Sequence, residues 1–250
     1  MPELDRKRNG QAAAHRRMAL AWALSLACAV AGVVISALVG GKAYVVASVI
    51  VVLCTIVPFF VIFEARRPQA RELVMLAVMC ALAVAARAAF IWLPGFKPMA
   101  AIIMIAGIAF GPSSGFLVGS LAALTSNFIF GQGPWTPWQM LAFGLCGLVF
   151  GALAQRGLIR REKLSVRARV GMAASGAVFV VLVAGPILDT SSLFFMLSRI
   201  TPEAIIAAYL AGFPMNCMQA AATFVTLLLV ANPLLDKLTR VQRKYGMLVR

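Results

Sequence analysis

Long apolar stretches restrict the fold of this chain more than any other feature. A helix needs about 20 mostly apolar residues to cross the hydrocarbon core of a bilayer, which is about 30 Å thick. Such stretches cover residues 18–40, 44–63, 72–93, 137–154, 170–187 and 203–230. A further apolar segment, residues 98–131, contains a Gly-Pro-Ser-Ser-Gly turn signal, so we expect two shorter helices there. The sequence therefore predicts an all-α integral membrane protein with about eight transmembrane helices.

Basic residues are concentrated in alternate loops, and this pattern predicts the topology. The chain is 12% charged, whereas soluble domains carry about 25% charged residues, so its net charge of +15 does not indicate a nucleic acid partner. Lys and Arg concentrate in residues 6–17, 66–71, 156–169 and 237–250, while the predicted outer loops hold only Lys42, Lys97 and Arg199. Basic loops stay in the cytoplasm, so we expect a multi-pass protein of the cell membrane with both termini cytoplasmic. Two full spans and a re-entrant hairpin over residues 98–131 both fit this distribution.

The sequence lacks the motifs by which enzymes and energy-driven pumps are recognised. The pair Gly41-Lys42 lacks the rest of a phosphate-binding loop, and no zinc-protease or serine-nucleophile motif occurs. The five cysteines show no Cys-x-x-Cys spacing, and the one histidine, His15, lies in the basic N-terminal tail. We therefore expect a protein that is not an enzyme and does not pump by itself, with no catalytic residue, no metal site and no cofactor.

One arginine lies within the third apolar stretch. Burying Arg87 there costs about 2.5 to 3.5 kcal/mol on insertion scales, so an interaction should offset it. Arg87 precedes Trp92 and Pro94 by one to two helical turns, which lets it face an outward-open cavity and meet either an anionic ligand group or Asp189. The alternative is snorkelling to the interface or a purely structural pairing.

The segment FGQGPWTPWQM, between two predicted helices on the outer side, combines aromatic and amide side chains. Trp135 and Trp138 offer rigid planes with N–H donors, Gln132 and Gln139 offer directional hydrogen bonds, and the prolines fix the loop. With the nearby Asn127, these residues predict a site for an organic ligand. The alternative is that the tryptophans belong to the aromatic belt of the outer interface.

The last apolar stretch begins with Thr201-Pro202-Glu203, which is typical of a helix start. We expect Gly212-Phe213-Pro214 to interrupt this helix midway. Asn216, about one turn later, either satisfies the freed backbone or points into a cavity.

Small residues recur at intervals of four, a spacing that lets helices approach closely. These are Gly107, Gly111, Gly115 and Gly119 in one series, and Ala77, Ala81 and Ala85 in another. Packing within the bundle explains either series. The alanine series also fits a docking face for another membrane subunit.

From residue 72 to about residue 246, the chain resembles the substrate-binding S component of energy-coupling factor (ECF) vitamin transporters. The resemblance rests on the alanine-rich helix with Arg87, the Pro94-Gly95-Phe96-Lys97-Pro98 loop and the glycine series. It also rests on the stretch from Ser126-Asn127-Phe128 to Gln139, and on Asn232-Pro233-Leu234-Leu235 before a basic tail.

The resemblance implies a six-helix core, residues 72–236, that binds the substrate. Residues 1–71 depart from the family, and we expect them to form a basic cytoplasmic tail and a two-helix membrane extension before this core. A second basic cytoplasmic tail, residues 237–250, would follow the core. In this family the S component captures a vitamin, while a transmembrane T component and two ATPases supply the energy. The docking positions on the T component correspond here to Ala77, Ala81 and Ala85.

The resemblance also implies where the vitamin binds. In the family the outer loops hold it, and these correspond to residues 92–97, 130–139 and 189–199. With Arg87 and the final helix, the expected binding residues are Arg87, Trp92, Phe96, Lys97, Asn127, Gln132, Trp135, Trp138, Gln139, Asp189 and Asn216. The QGPWTPWQ segment looks most like cobalamin-type S components, so cobalamin is favoured, while riboflavin and queuosine-like bases also fit. The competing class is a stand-alone facilitative carrier or a structural membrane protein.

Overall fold

The computed structural model describes residues 43–65, 68–160, 164–196 and 201–245. The chain divides into two compact units, Met1–Pro68 and Gln69–Arg250. In the first unit, helix α1 spans Ala43–Ala65 and covers the predicted stretch 44–63. The predicted stretch 18–40 lies outside the described residues, so the expected count of eight helices stays a prediction.

The second unit consists of helices joined by short connections. They are α2 (Ala70–Ala89), α3 (Met99–Phe110), α4 (Pro112–Phe130), α5 (Thr136–Gln155), α6 (Val166–Phe179), a π-helical segment (Val180–Ala184), α7 (Gly185–Met196) and α8 (Pro202–Lys244). Within the described ranges, five helical runs are long and apolar enough to cross a membrane: α2, α4, α5, the run Val166–Phe194 and α8. This all-helical arrangement fits an integral membrane protein.

Helix α3 lies in the interior of the second unit. It has only 12 residues, so it is about 18 Å long, and all but Phe110 are buried. A helix that is apolar all round is expected to be buried in this way. Gly111, with φ +94°, connects α3 to α4, and Pro112 occupies the first turn of α4. The predicted division of residues 98–131 into two helices is therefore confirmed.

Glycines bring α3, α4 and α5 into backbone contact. A Cβ atom added at Gly115 on α4 would lie 2.5 Å from both the Gly107 Cα atom and the Gly147 carbonyl oxygen. A Cβ atom added at Gly147 on α5 would lie 2.8 Å from the Gly115 Cα atom. These contacts leave no room for a methyl group, so this part of the glycine series packs helices within the bundle.

The run from α6 to α7 is longer than the predicted stretch 170–187, since helical structure extends from Val166 to Met196. The π-helical segment lies directly before Gly185 and Pro186. Because a proline lacks a backbone N–H and its ring collides with the preceding helical turn, a regular α-helix is strained before Pro186. The wider π-helical turn relieves this collision, so the helix continues past the proline. As a consequence Asp189, which was expected in an outer loop, lies on α7.

Helix α8 runs without interruption from Pro202 to Lys244, so the predicted break at residues 212–214 is wrong. The Thr201 hydroxyl caps it by accepting a hydrogen bond from the Ala204 N–H at 3.2 Å, as expected for this helix start. The helix has 43 residues and a length of about 65 Å, which is more than a bilayer core. It therefore continues through the predicted boundary at residue 237. Close to its end, Gln242 donates to the Ala109 carbonyl of α3 at 3.0 Å.

Candidate functional site

The candidate binding residues lie at one end of the helices of the second unit. Because successive helices run in opposite directions, the ends of α2 and α4 lie at the same end as the starts of α3 and α5. Helix α8 passes this level near Met215, which lies against Gly95. Loop one (residues 90–98) and loop three (residues 131–135) connect helices at this end. The connection after α5 lies at the other end of that 20-residue helix, about 30 Å away.

Arg87 is the centre of a polar network at this end. It lies in the last turn of α2 and is 8% exposed. Its Nη1 atom donates to the Ser126 hydroxyl at 2.6 Å and to the Asn127 side-chain oxygen at 3.1 Å. The guanidinium carbon also lies 4.5 Å from the centre of the Phe130 ring, which is a cation–π distance. These contacts tie the end of α2 to the end of α4.

The network continues into loop three. The Asn127 amide nitrogen donates to the Thr136 hydroxyl at 2.9 Å, and that hydroxyl donates to the Gln132 side-chain oxygen at 2.8 Å. The Gln132 amide nitrogen in turn donates to the Leu124 carbonyl at 3.1 Å. We refer to Arg87, Ser126, Asn127, Gln132 and Thr136 as the arginine network. Three predicted site residues therefore belong to one network, and both ends of the Gln132 amide are hydrogen-bonded.

The arginine network carries a positive charge next to neutral oxygens. The Arg87 Nε atom is buried and has no hydrogen-bond partner among the described residues. Nearby, in loop one, burial lowers the pKa of the Lys97 ammonium, and the positive charge of Arg87 lowers it further. The sequence offered two partners for Arg87, an anionic ligand group or Asp189. In the described residues Arg87 does not pair with Asp189, whose carboxylate accepts a hydrogen bond from Asn216 instead.

Trp138 and Gln139 lie on the first turn of α5 rather than in a loop, which corrects the expected boundary of the outer loop. The helix starts early because Thr136 and Pro137 occupy its first positions, where proline is favoured. The Trp138 ring stacks on Phe194 of α7, with 5.7 Å between ring centres. Trp138 Nε1 and Gln139 Oε1 are buried and find no hydrogen-bond partner in the described ranges. Trp135 precedes the helix and is 38% exposed.

Asp189 and Asn216 join α7 to α8. The Asn216 amide nitrogen donates to a carboxylate oxygen of Asp189 at 2.7 Å. A Cβ atom added at Gly185 would lie 2.5 Å from the Asn216 Cγ atom, and one added at Gly212 would lie 2.5 Å from the Asp189 Cγ atom. We call these four residues the Asp–Asn clasp. A further contact joins the Thr190 and Tyr209 hydroxyls at 2.7 Å.

Comparison with known proteins identifies the class of the chain. Residues 67–240 match the family described as ECF-type riboflavin transporter, S component. The chain belongs to this family. No curated protein and no solved structure matches it. The expected identity as an ECF S component is therefore confirmed, and this class is a transporter subunit rather than an enzyme. The closer likeness to cobalamin-type members is not confirmed.

Loop one of this S component packs against α8. Gly95, with φ +77°, lies so close to Met215 and Met218 that a Cβ atom there would come within 3.1 Å of the Met218 Cβ atom. Phe96 is half-buried and contacts the Phe90 ring at 5.1 Å between centres. Trp92 is 86% exposed and lies on the outside of the loop. Loop one therefore brings Phe96 and Lys97, but not the Trp92 ring, into the packed part of this end.

The alanines expected to dock a partner lie on the exposed face of α2. Ala77, Ala81 and Ala85 are all exposed in this S component. Val74 and Val78 on the same helix are 61% and 55% exposed. This face is apolar and has small side chains in a row.

Several residues of the candidate site were not predicted from the sequence as site residues. They are Ser126 and Thr136 in the arginine network, Phe194 beside Trp138, Gly185 and Gly212 in the clasp, and Gln219 on α8. Gln219 is 5% exposed, and its Nε2 atom has no partner in the part of the chain that the structure describes. One signal was available, since each clasp glycine precedes a polar residue by four positions within an apolar helix.

Proposed function

We propose that this S component captures a vitamin at the end of the second unit that holds loops one and three, and that the vitamin is a flavin of the riboflavin type. The observation that carries the proposal is a set of three buried polar atoms without partners among the described residues. They are Trp138 Nε1, Gln139 Oε1 and Gln219 Nε2. Buried polar atoms in proteins are nearly always hydrogen-bonded, so such atoms favour a ligand as their partner.

The chemistry of these atoms suits a flavin. Two of them are donors, the Trp138 indole N–H and the Gln219 amide, and one is an acceptor, the Gln139 carbonyl. The pyrimidine edge of a flavin offers two carbonyl acceptors on either side of one N–H donor, which is the complementary set. The stacked Trp138 and Phe194 rings provide an aromatic surface for a flat ring system. The family to which the chain belongs is itself described as a riboflavin transporter component.

Cobalamin is the second candidate, and the QGPWTPWQ segment favours it. Its two tryptophans and two glutamines offer wide surface and many hydrogen bonds to an amide-rich corrinoid periphery. The structure leaves fewer of these groups free to bind a ligand, because the Gln132 amide nitrogen donates to Leu124 and its oxygen accepts from Thr136. For this reason we place the flavin first.

The proposed function includes partners that supply energy. S components of this class operate with a transmembrane T component and two ATPases, and we propose the same for this chain. Docking would use the exposed alanine face of α2, where Ala77, Ala81 and Ala85 permit close approach of another helix. A stand-alone facilitative carrier would need no such partner.

The proposed topology places loop three outside and both termini in the cytoplasm, because the basic connection after α5 would then lie inside. Cysteine labelling in intact cells tests this on a cysteine-free background. A membrane-impermeant reagent should label Gln132→Cys and should not label Arg156→Cys. The reverse pattern would overturn the orientation.

The identity of the vitamin is tested by mass spectrometry of small molecules that co-purify with the detergent-solubilised protein. We expect a flavin, and we expect the Gln219→Leu variant, which removes one donor, to retain less of it. If a corrinoid or a queuosine-like base co-purifies instead, the same site binds that compound and not a flavin. A folded protein that retains and rebinds none of these compounds would contradict the proposed function.

A further inference from the structure

A cleft lies at the other end of the second unit, away from the proposed vitamin site. It is formed by the end of α5, the connection that follows it and the first half of α6, and it has a volume of about 450 Å³. Ligand sites commonly have volumes of about 300 to 1,000 Å³. Neither the arginine network nor the Asp–Asn clasp contributes to it.

The interior of the cleft is apolar and open. Ile159, Leu164 and Met172 line it and are buried, whereas Leu158 lines it and is 71% exposed. Gly171 also lines the cleft, and a Cβ atom added there would meet no atom within 4 Å. The interior therefore has room for an apolar chain that enters past Leu158.

The wall of the cleft is held by the rest of the unit. The Leu164 backbone N–H donates to the Asn232 side-chain oxygen at 3.0 Å, and the Asn232 amide donates back to the Leu164 carbonyl at 3.0 Å. Ser165 then caps α6 by accepting from the Ala168 N–H at 3.3 Å. These bonds fix the connection to α8, so the cleft is a built feature of the fold.

The chain around the cleft is basic. The described residues next to it, 156–160 and 164–169, contain four basic residues and no acidic residue. Among these four, Arg160 lines the cleft and is exposed at its rim. An apolar interior with a basic rim is complementary to a molecule that has an acyl chain and an anionic head.

We propose that this cleft binds one anionic phospholipid of the surrounding bilayer. The acyl chain lies along Ile159 and Met172, and the phosphate is held by Arg160, which lines the cleft. The cleft lies where α5 has completed a crossing of about 30 Å, which is the level of the lipid headgroups. Basic pockets between helices at this level bind anionic headgroups in membrane proteins. The proposal is independent of which vitamin is bound at the other end.

Native mass spectrometry of the full chain tests the proposal, with phosphatidylglycerol and phosphatidylcholine of matched acyl chains as probes. We expect one phosphatidylglycerol to be retained in preference to phosphatidylcholine. Arg160→Gln should weaken its retention about fivefold, which corresponds to about 1 kcal/mol per arginine near an anionic surface. Gly171→Leu should exclude the acyl chain, because Gly171 lines the cleft and a Cβ atom there meets no atom within 4 Å.

Two variants serve as matched controls. Arg167→Gln removes an exposed basic residue that does not line the cleft, and Val170→Leu enlarges an exposed apolar residue beside Gly171 that does not line it either. Both should bind phosphatidylglycerol normally, and unchanged thermal unfolding of all four variants confirms their folding. Equal retention of the two lipids, or an equal loss in Arg167→Gln and Arg160→Gln, would overturn the proposal. Displacement of the lipid by inorganic phosphate alone would reassign the cleft to free anions.

Discussion

Asn216 on α8 donates a hydrogen bond to Asp189 on α7 across 2.7 Å, and a glycine on each helix makes room for the polar residue of the other. Gly185 lies four positions before Asp189, and Gly212 lies four positions before Asn216. The two helices therefore approach closely at the place where they form a part-buried polar contact. This contact holds α7, which carries Phe194, against α8, which carries Gln219.

The clasp predicts a large effect of a small substitution. Gly212→Ala places a methyl group against the Asp189 carboxylate, and overpacking of this kind costs about 1 to 3 kcal/mol. Thermal unfolding in detergent should show a clear loss of stability. Gly171→Ala is the matched control, since its methyl group meets open space and alanine favours the helix. Equal stability of the two variants would show that the clasp does not hold the helices.

The arginine network predicts that Arg87 stabilises the ligand-free protein. Arg87→Ala removes two hydrogen bonds to buried groups, and hydrogen bonds to a charged group contribute about 1.5 to 3 kcal/mol each. Arg87→Lys keeps the charge but loses the planar fork, so it should restore only part of the stability. The measurement is thermal unfolding without ligand, followed by vitamin affinity. If Arg87→Lys unfolds normally but loses vitamin affinity, the guanidinium contacts an anionic group of the ligand instead.

Two substitutions at Trp138 separate stacking from hydrogen bonding. Trp138→Ala removes a packed aromatic anchor and should weaken binding about thirtyfold, which corresponds to about 2 kcal/mol. Trp138→Phe keeps a ring but lacks the N–H donor, so it should lose less than the alanine variant. Phe128→Ala is the control, because Phe128 is 75% exposed and contributes to no described site contact. If both Trp138 variants lose less than threefold in vitamin affinity, Trp138 belongs to an aromatic belt and not to the binding site.

The alanine face of α2 predicts a variant that binds the vitamin but does not transport it. Ala81→Leu adds bulk to the exposed row, so close approach of a T component helix should fail. Co-purification with the T component and vitamin uptake should both decrease, while vitamin affinity stays unchanged. Ala207→Leu, an exposed alanine on α8, should leave uptake intact. Normal uptake by Ala81→Leu would exclude docking at this position.

Local sequence signals predicted the helices well where the cause is local. Gly111-Pro112 breaks the chain because glycine adopts a positive φ there and proline starts the next helix. Thr201 caps α8 for an equally local reason. By contrast, Pro214 was expected to break α8 and does not, because neighbouring helices hold a long membrane helix together around a proline.

At the candidate site, the sequence indicated which polar residues lie in apolar segments but not which residues they contact. Arg87 and Asn127 were singled out because polar groups in apolar segments need a reason, and the structure joins them. The sequence did not indicate that Asp189 binds Asn216 rather than Arg87, since that choice depends on how α7 packs on α8. Gln219 was not predicted, because a single glutamine in a long helix forms no sequence motif that indicates a binding role.

The most direct measurement is an equilibrium titration of the purified, detergent-solubilised chain with riboflavin. Quenching of the flavin fluorescence reports the binding. We predict saturable binding of one flavin per chain, insensitive to an excess of cobalamin and weakened about thirtyfold by Trp138→Ala. Displacement of the flavin by cobalamin would show that the site binds the corrinoid in preference. The absence of saturable binding of either vitamin by a chain that unfolds cooperatively would contradict a vitamin-binding S component.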